Sequence, residues 1–128
     1  MSDTPALKAA VRRAIDARAN EITGLARTIA AQPEVGFKEH RTAALVVERL
    51  AALGVTAQSG LALTGVKAKL DGGAGPGPTV AVLGELDALI VWEHPAHHPD
   101  TGAVHACCHH AQVAAMYGVA IGLLDSGV

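Results

Sequence analysis

The run from Ala111 to Leu124 is apolar on nearly every side, so the chain must fold in a way that covers most of one helix. Small residues recur through it, with Gly118 and Gly122 four apart. It is shorter than the roughly 20 residues a membrane-spanning helix needs, so the cover is expected to come from protein. What precedes it supplies candidates. Thr4 before Pro5 reads as an N-cap with proline in the first helical position. Leu7, Val11, Ile15, Ile22, Leu25 and Ile29 then recur at helical spacing, which predicts one long amphipathic helix ending near Pro33. A second helix is expected from about Glu39 to Leu53, with Leu45, Val46, Leu50 and Leu53 on one side and Gly54 placed to end it. Its Glu48 and Arg49 read as a solvated face.

Two strands follow. Val66 to Leu70 alternates apolar and basic residues, as a strand with one wet face does. The stretch DGGAGPGP (71–78) then makes a turn; no Gly-Lys-Ser/Thr follows it, so a hairpin loop is preferred to a phosphate loop. Thr79 to Leu83, TVAVL, has the continuous β-branched character of a central strand covered on both faces. It runs into GELDAL, placing Glu85 and Asp87 at a strand end, where open α/β sheets keep their ligand sites. Two residues apart, these carboxylates point the same way if strand geometry persists. The order helix, helix, strand, strand, helix predicts an α/β fold with a layered sheet and no internal repeat.

A chain of 128 residues, half of them apolar, fits one domain. Twelve acidic against ten basic side chains, with Phe37, Trp92 and Tyr117 as the aromatics, leave little basis for binding nucleic acid. Cys107 and Cys108 are neighbours and cannot staple distant loops, so they read as thiols of a reducing compartment. No basic segment followed by an apolar one opens the chain, and a cytoplasmic protein without membrane contact is expected.

Six of the seven histidines fall between His94 and His110, with both cysteines inside that window. Imidazole and thiolate together suit zinc and similar first-row metals. Cys107, Cys108, His109 and His110 are consecutive and cannot all wrap one tetrahedral ion, which excludes a zinc finger. In extended backbone, residues 105, 107 and 109 project to one side, so Cys107 and His109 can address one metal from a loop. Blander readings stand beside this one. His94, His97 and His98, next to their prolines, read as surface or hydrogen-bonded side chains. Asp87 also fits a hydrogen-bonded loop carboxylate, Cys107 a small buried thiol, and Cys108 a packed residue.

Three stretches in order, QPEVGFKEHRTA (32–43), GELDAL (84–89) and TGAVHACCHHAQVAAM (101–116), resemble the N-terminal part of the zinc-dependent amidohydrolases and exopeptidases of the aminoacylase family. Its members include hippurate, indole-acetyl-amino-acid and aminobenzoyl-glutamate hydrolases. The resemblance implies that Cys107 and His109 are metal ligands and that Asp87 supports the metal site, serving the catalytic centre without being its main ligand. Glu85 stands where other branches keep a ligating histidine. Cys108 replaces the glycine that relatives carry, and His110 stands where many have aspartate.

The implied activity is metal-assisted hydrolysis of the amide bond of an N-acyl or N-aroyl amino acid or a dipeptide, with zinc as the expected metal and manganese, cobalt or nickel as alternatives. In the family the carboxylate base and further ligands come later, as does a dimerisation domain. Residues 1–128 are therefore expected to be an N-terminal fragment of the catalytic domain of a homo-oligomeric parent, and inactive alone. Val80, Val82, Val119 and Leu123 are then expected to lack part of their cover. Two competing readings are a non-enzymatic metal-binding module that also uses His94, His97, His98 and His110, and a redox pair at Cys107 and Cys108, which suffers from ring strain.

Overall fold

The computed structural model describes residues 4–73 and 75–127; Ala74, in the expected turn, lies outside the described residues. Among the described residues, four helices and two small antiparallel sheets make a mixed α/β fold. The helix containing the apolar run from Ala111 to Leu124 lies at its centre. This is α4, His109–Ser126, and its Val113, Tyr117, Ala120 and Ile121 join Leu25, Ile29, Val46, Leu50 and Val55 in one buried cluster.

The expected long N-terminal helix is two helices, α1 (Thr4–Ala17) and α2 (Ala19–Ala30), broken at Arg18 with φ −114° and ψ 21°. No proline or glycine causes the break. Arg18 is held by both Glu21 carboxylate oxygens, at 2.8 and 2.9 Å, and by Asp125 near the end of α4 at 3.1 Å. Both helices pack on α4. The bend at Arg18 lets α1 and α2 follow the same partner, α1 with Val11 and Ile15 over Gly122 and α2 with Ile22 over Gly118. A Cβ on Gly122 would stand 2.9 Å from Val11 Cγ1 and 3.1 Å from Ile15 Cδ1. Gly122→Val is therefore expected to cost about 1–3 kcal/mol by overpacking, read as a lower urea midpoint. Tyr117 anchors the same contact by donating its hydroxyl to Glu21, and burial together with that bond pushes the phenol up to about 12.

Helix α3 spans His40–Ala52, within one residue of expectation at each end. Its stop is the one the sequence announced. Gly54, at φ +77°, donates to the Ala51 carbonyl and Val55 to that of Leu50, a Schellman pair that satisfies two final carbonyls while Leu50 and Val55 enter the core.

The strands depart further from expectation. Val66 to Leu70 was expected to pair across the 71–78 turn; instead β2 (Gly65–Ala68) pairs with the preceding β1 (Ala57–Leu61), with Ala57 opposite Ala68 and Gln58 opposite Lys67. Two short strands, β3 (Leu89–Ile90) and β4 (Ala103–Val104), form a second antiparallel pair that the sequence reading did not contain. Thr79 to Leu83 is not a central strand: it has no sheet partner among the described residues, and Val80 and Leu83 are 80 % and 87 % exposed. An apolar strand of this type is defined by neighbours on both sides, and among the described residues none pairs with it. The expected incomplete cover at Val80, Val82, Val119 and Leu123 is observed.

Candidate metal centre

The three quoted stretches, distant in the chain, meet at one place. The first forms the turn between α2 and α3. Its Glu34 carboxylate reaches the open N-terminus of α3 and accepts from the backbone N–H groups of Arg41 (3.1 Å) and Thr42 (2.8 Å), the Thr42 hydroxyl (2.9 Å) and Arg41 Nε (3.2 Å). An anion there meets the positive end of the helix dipole. Burial pushes the Glu34 carboxyl up, but the bonds from Thr42 and Arg41 outweigh it and hold the group below its ordinary value.

The same residue grips the second stretch through its backbone. The Glu34 carbonyl accepts from Ala88 N–H at 2.7 Å, Val35 bridges Ala88 in parallel, and Gly36 lies against Asp87, where an added Cβ would stand 4.0 Å from Asp87 Cβ. Gly84 seats the other end of that stretch on the start of α4, its missing side chain 3.5 Å from the Val113 backbone. Leu89 pairs with Val104, tying the second stretch to the third.

His109, the first residue of α4, is where they converge. Its Nδ1 lies 2.9 Å from Asp87 Oδ1 and 3.0 Å from the Asp87 carbonyl, and its Nε2 lies 2.9 Å from Glu85 Oε2. The two carboxylates thus approach opposite nitrogens of one ring, Glu85 from the more exposed side. A neutral imidazole has one N–H, so it can donate to only one of them; the other contact calls for a second proton or for a cation in its place. The donor set of imidazole and carboxylate fits a borderline divalent metal. Among the described residues, however, no group of three or more such side chains is already gathered to hold an ion.

Cys107 stands on a turn, not on the extended stretch expected. The chain does not run extended through residues 105 to 109; it turns, with Cys108 N–H donating to the His105 carbonyl at 3.1 Å, so Cys107 and His109 do not share a strand face. Cys107 is exposed, not a small buried thiol, and Cys108 is exposed rather than packed. Cys108 also caps α4 with a left-handed backbone, φ 63° and ψ 24°, the conformation that suits the glycine expected there. Cys108→Gly is expected to stabilise the fold by about 1 kcal/mol, measured by chemical denaturation, because it removes left-handed strain at a site where glycine has little.

The remaining histidines between His94 and His110 divide into two groups. His94 and His98 accept at Nδ1 from the backbone N–H groups of Ala96 and Asp100, and His97 Nδ1 meets the His94 carbonyl at 2.7 Å, so all three are engaged in local turns. Accepting at Nδ1 places the proton of a neutral His94 or His98 on Nε2, the wrong form for a metal ligand on that nitrogen. His105 is buried, and its ring lies 5.2 Å from that of His110. Burial, with His110 and His109 close by, lowers the His105 pKa. The sequence reading missed Glu34, whose signal was an acid placed ahead of a glycine turn and the His-Arg-Thr start of a helix.

No helix among the described residues is long and apolar enough to cross a membrane. No family model matches the chain, and no solved structure matches it. Curated relatives do. The chain is 37 % identical to IAA-amino acid hydrolase ILR1-like 6 of Arabidopsis thaliana over 73 % of its own length and 20 % of the relative's. It is 32 % identical to the putative amidohydrolase YhaA of Bacillus subtilis, over 89 % of this chain and 29 % of that one. Thermostable carboxypeptidase 1 of Saccharolobus solfataricus is 39 % identical over 82 % of this chain and 28 % of its own. The chain spans less than a third of the length of each of these relatives. By these likenesses, and by the three stretches that converge on His109, the chain belongs to the aminoacylase-like amidohydrolases.

Proposed function

We propose that this chain carries part of the metal centre of an enzyme that hydrolyses the amide bond of N-acyl or N-aroyl amino acids or dipeptides. The observation that carries the reading is His109 held between Asp87 and Glu85. Asp87 accepts from Nδ1–H and fixes both tautomer and ring orientation, which frees the Nε2 lone pair for an ion, as carboxylate–histidine pairs do at zinc sites. Glu85 then supplies a second charge beside Nε2, and Cys107, on the adjacent turn, a thiolate. When bound, a divalent metal, with zinc as the expected one, supplies Lewis-acid polarisation of the scissile carbonyl and makes an attacking water acidic near neutral pH. Two exposed thiols at the centre suit a reducing, cytoplasmic setting.

His109 and Cys107 are two ligands where a catalytic zinc ordinarily has three from protein. The isolated chain is therefore expected to bind metal weakly and to leave hippurate, indole-acetyl amino acids and aminobenzoyl-glutamate uncleaved. An assay of that panel with added zinc or manganese is the test, and metal-dependent turnover by the chain alone overturns the expectation. A non-enzymatic module using His94, His97 and His98 fits less well, because His94 and His98 accept at Nδ1 and so carry the proton of the neutral ring on Nε2, which leaves His97 alone of the three with a free Nε2.

A further inference from the structure

Cys107 and Cys108 are the two cysteines of the chain, and both stand exposed as free thiols on adjacent residues. Their backbone is pinned on either side. Cys108 N–H donates to the His105 carbonyl at 3.1 Å, and the Cys108 carbonyl accepts from the N–H groups of Ala111 and Gln112 at 2.9 and 3.2 Å. The Cys108 side chain takes no part in this, making no hydrogen bond to the helix it caps. A cysteine is nevertheless kept at φ 63°, where glycine would be unstrained, and a side chain retained in such a conformation points to a use for that side chain.

Two thiols so placed suit few partners. They close on each other poorly, because a trans peptide sets their Cα atoms about 3.8 Å apart, short of the roughly 4.4–6.8 Å that a disulfide spans. Zinc takes four ligands, and among the described residues no group of three or more His, Cys, Asp and Glu side chains is gathered to hold an ion. A soft ion satisfied by two sulfurs and a substituent of its own escapes both limits. We propose that Cys107 and Cys108 form a dithiol site that chelates a trivalent arsenical, either arsenite or a monosubstituted derivative. Each thiol gives up its proton, two S–As bonds form as two As–OH bonds break, and two waters leave; arsenic stays trivalent and nothing is oxidised. The interposed atom lengthens the bridge between the sulfurs, which relieves the mismatch that disfavours a disulfide. This site stands on the two thiols alone and is independent of the hydrolase reading.

The probe is phenylarsine oxide, hydrated in water to phenylarsonous acid, added to the reduced chain with a chelator present to remove divalent metal. Intact-mass spectrometry counts arsenic per chain, a chromogenic disulfide reagent counts free thiols, and competition with a monothiol reads affinity. One arsenic per chain, with both thiols consumed, is expected. Cys108→Gly and Cys107→Ser each keep one thiol and are expected to weaken binding at least about 100-fold through loss of the second, intramolecular bond, with circular dichroism to verify folding. His109→Ala keeps both thiols and is expected to bind as the parent does. A parent that keeps its thiols free, parent-like affinity in Cys108→Gly, two arsenicals per chain at saturation, or one arsenic joining two chains would each overturn the proposal. So would loss of affinity in His109→Ala, which assigns the ion to Cys107 and His109 instead. Failure of zinc binding at His109 would leave all of these results unchanged, so the two readings fall separately.

Discussion

His109→Ala is expected to abolish measurable zinc binding, a loss greater than the 10–100-fold typical of removing an outer-shell partner. Asp87 and Glu85 address opposite nitrogens of one ring, and a neutral ring can donate to one of them alone. A divalent cation would be held at Nε2, with the Glu85 charge beside it, and would relieve that mismatch without a second ring proton. Asp87→Asn leaves the ligand in place but removes the acceptor charge that fixes its tautomer, so it is expected to weaken binding by about 10–100-fold. Cys107→Ser removes the thiolate, and its signature is loss of the sulfur-to-metal absorption when cobalt is the probe. Titration calorimetry with zinc reads all three variants, with thermal melts to show that each remains folded. An unchanged affinity in His109→Ala would remove the ring from the site, and loss of affinity in a His94→Ala/His97→Ala/His98→Ala variant instead would revive the metal-binding module.

The parts of the fold that were legible in the sequence are those whose cause is local. Helix α3 could be read because its apolar residues recur on one side and Gly54 supplies the left-handed residue its end requires. The apolar run of α4 was likewise legible, although its first turn, with His109, extends upstream of that run. The break at Arg18 was not, because its partner Asp125 is 107 residues away and neither residue is unusual in its own surroundings. Thr79 to Leu83 reads as a strand by composition, but a strand exists only against neighbours, and composition does not supply them. The contact of Asp87 with His109 was not legible, because 22 residues separate them and no local pattern joins them; nor was the position of Cys107, since an extended chain was expected where a turn intervenes. The positive φ of Cys108 gives a physical meaning to the departure from glycine noted there.

Glu34→Ala is expected to destabilise the chain by about 2–4 kcal/mol, because one carboxylate serves two amides and two side chains at once. The Glu34 side chain is only 10 % exposed, so water replaces those bonds poorly. Its folded pKa is lowered, and the sign of the pH effect follows. The stability contributed by the charge is fully present above the unfolded carboxyl value of about 4.3 and is lost as pH falls through the lower folded value. Glu34→Gln keeps the shape and an acceptor oxygen but not the charge; it is expected to cost less at neutral pH and to flatten the acid limb of the stability curve. The loss should not stay within α3. Because the Glu34 carbonyl holds Ala88 N–H and Gly36 abuts Asp87, loosening this turn frees the residue that orients His109. Zinc affinity is therefore expected to fall in Glu34→Ala under conditions where the variant is still fully folded, whereas Leu50→Ala, a core truncation in α3 that leaves the turn intact, is expected to lower the urea midpoint with little change in affinity. Equal affinities in these two variants would confine Glu34 to capping α3 and detach the first stretch from the metal centre.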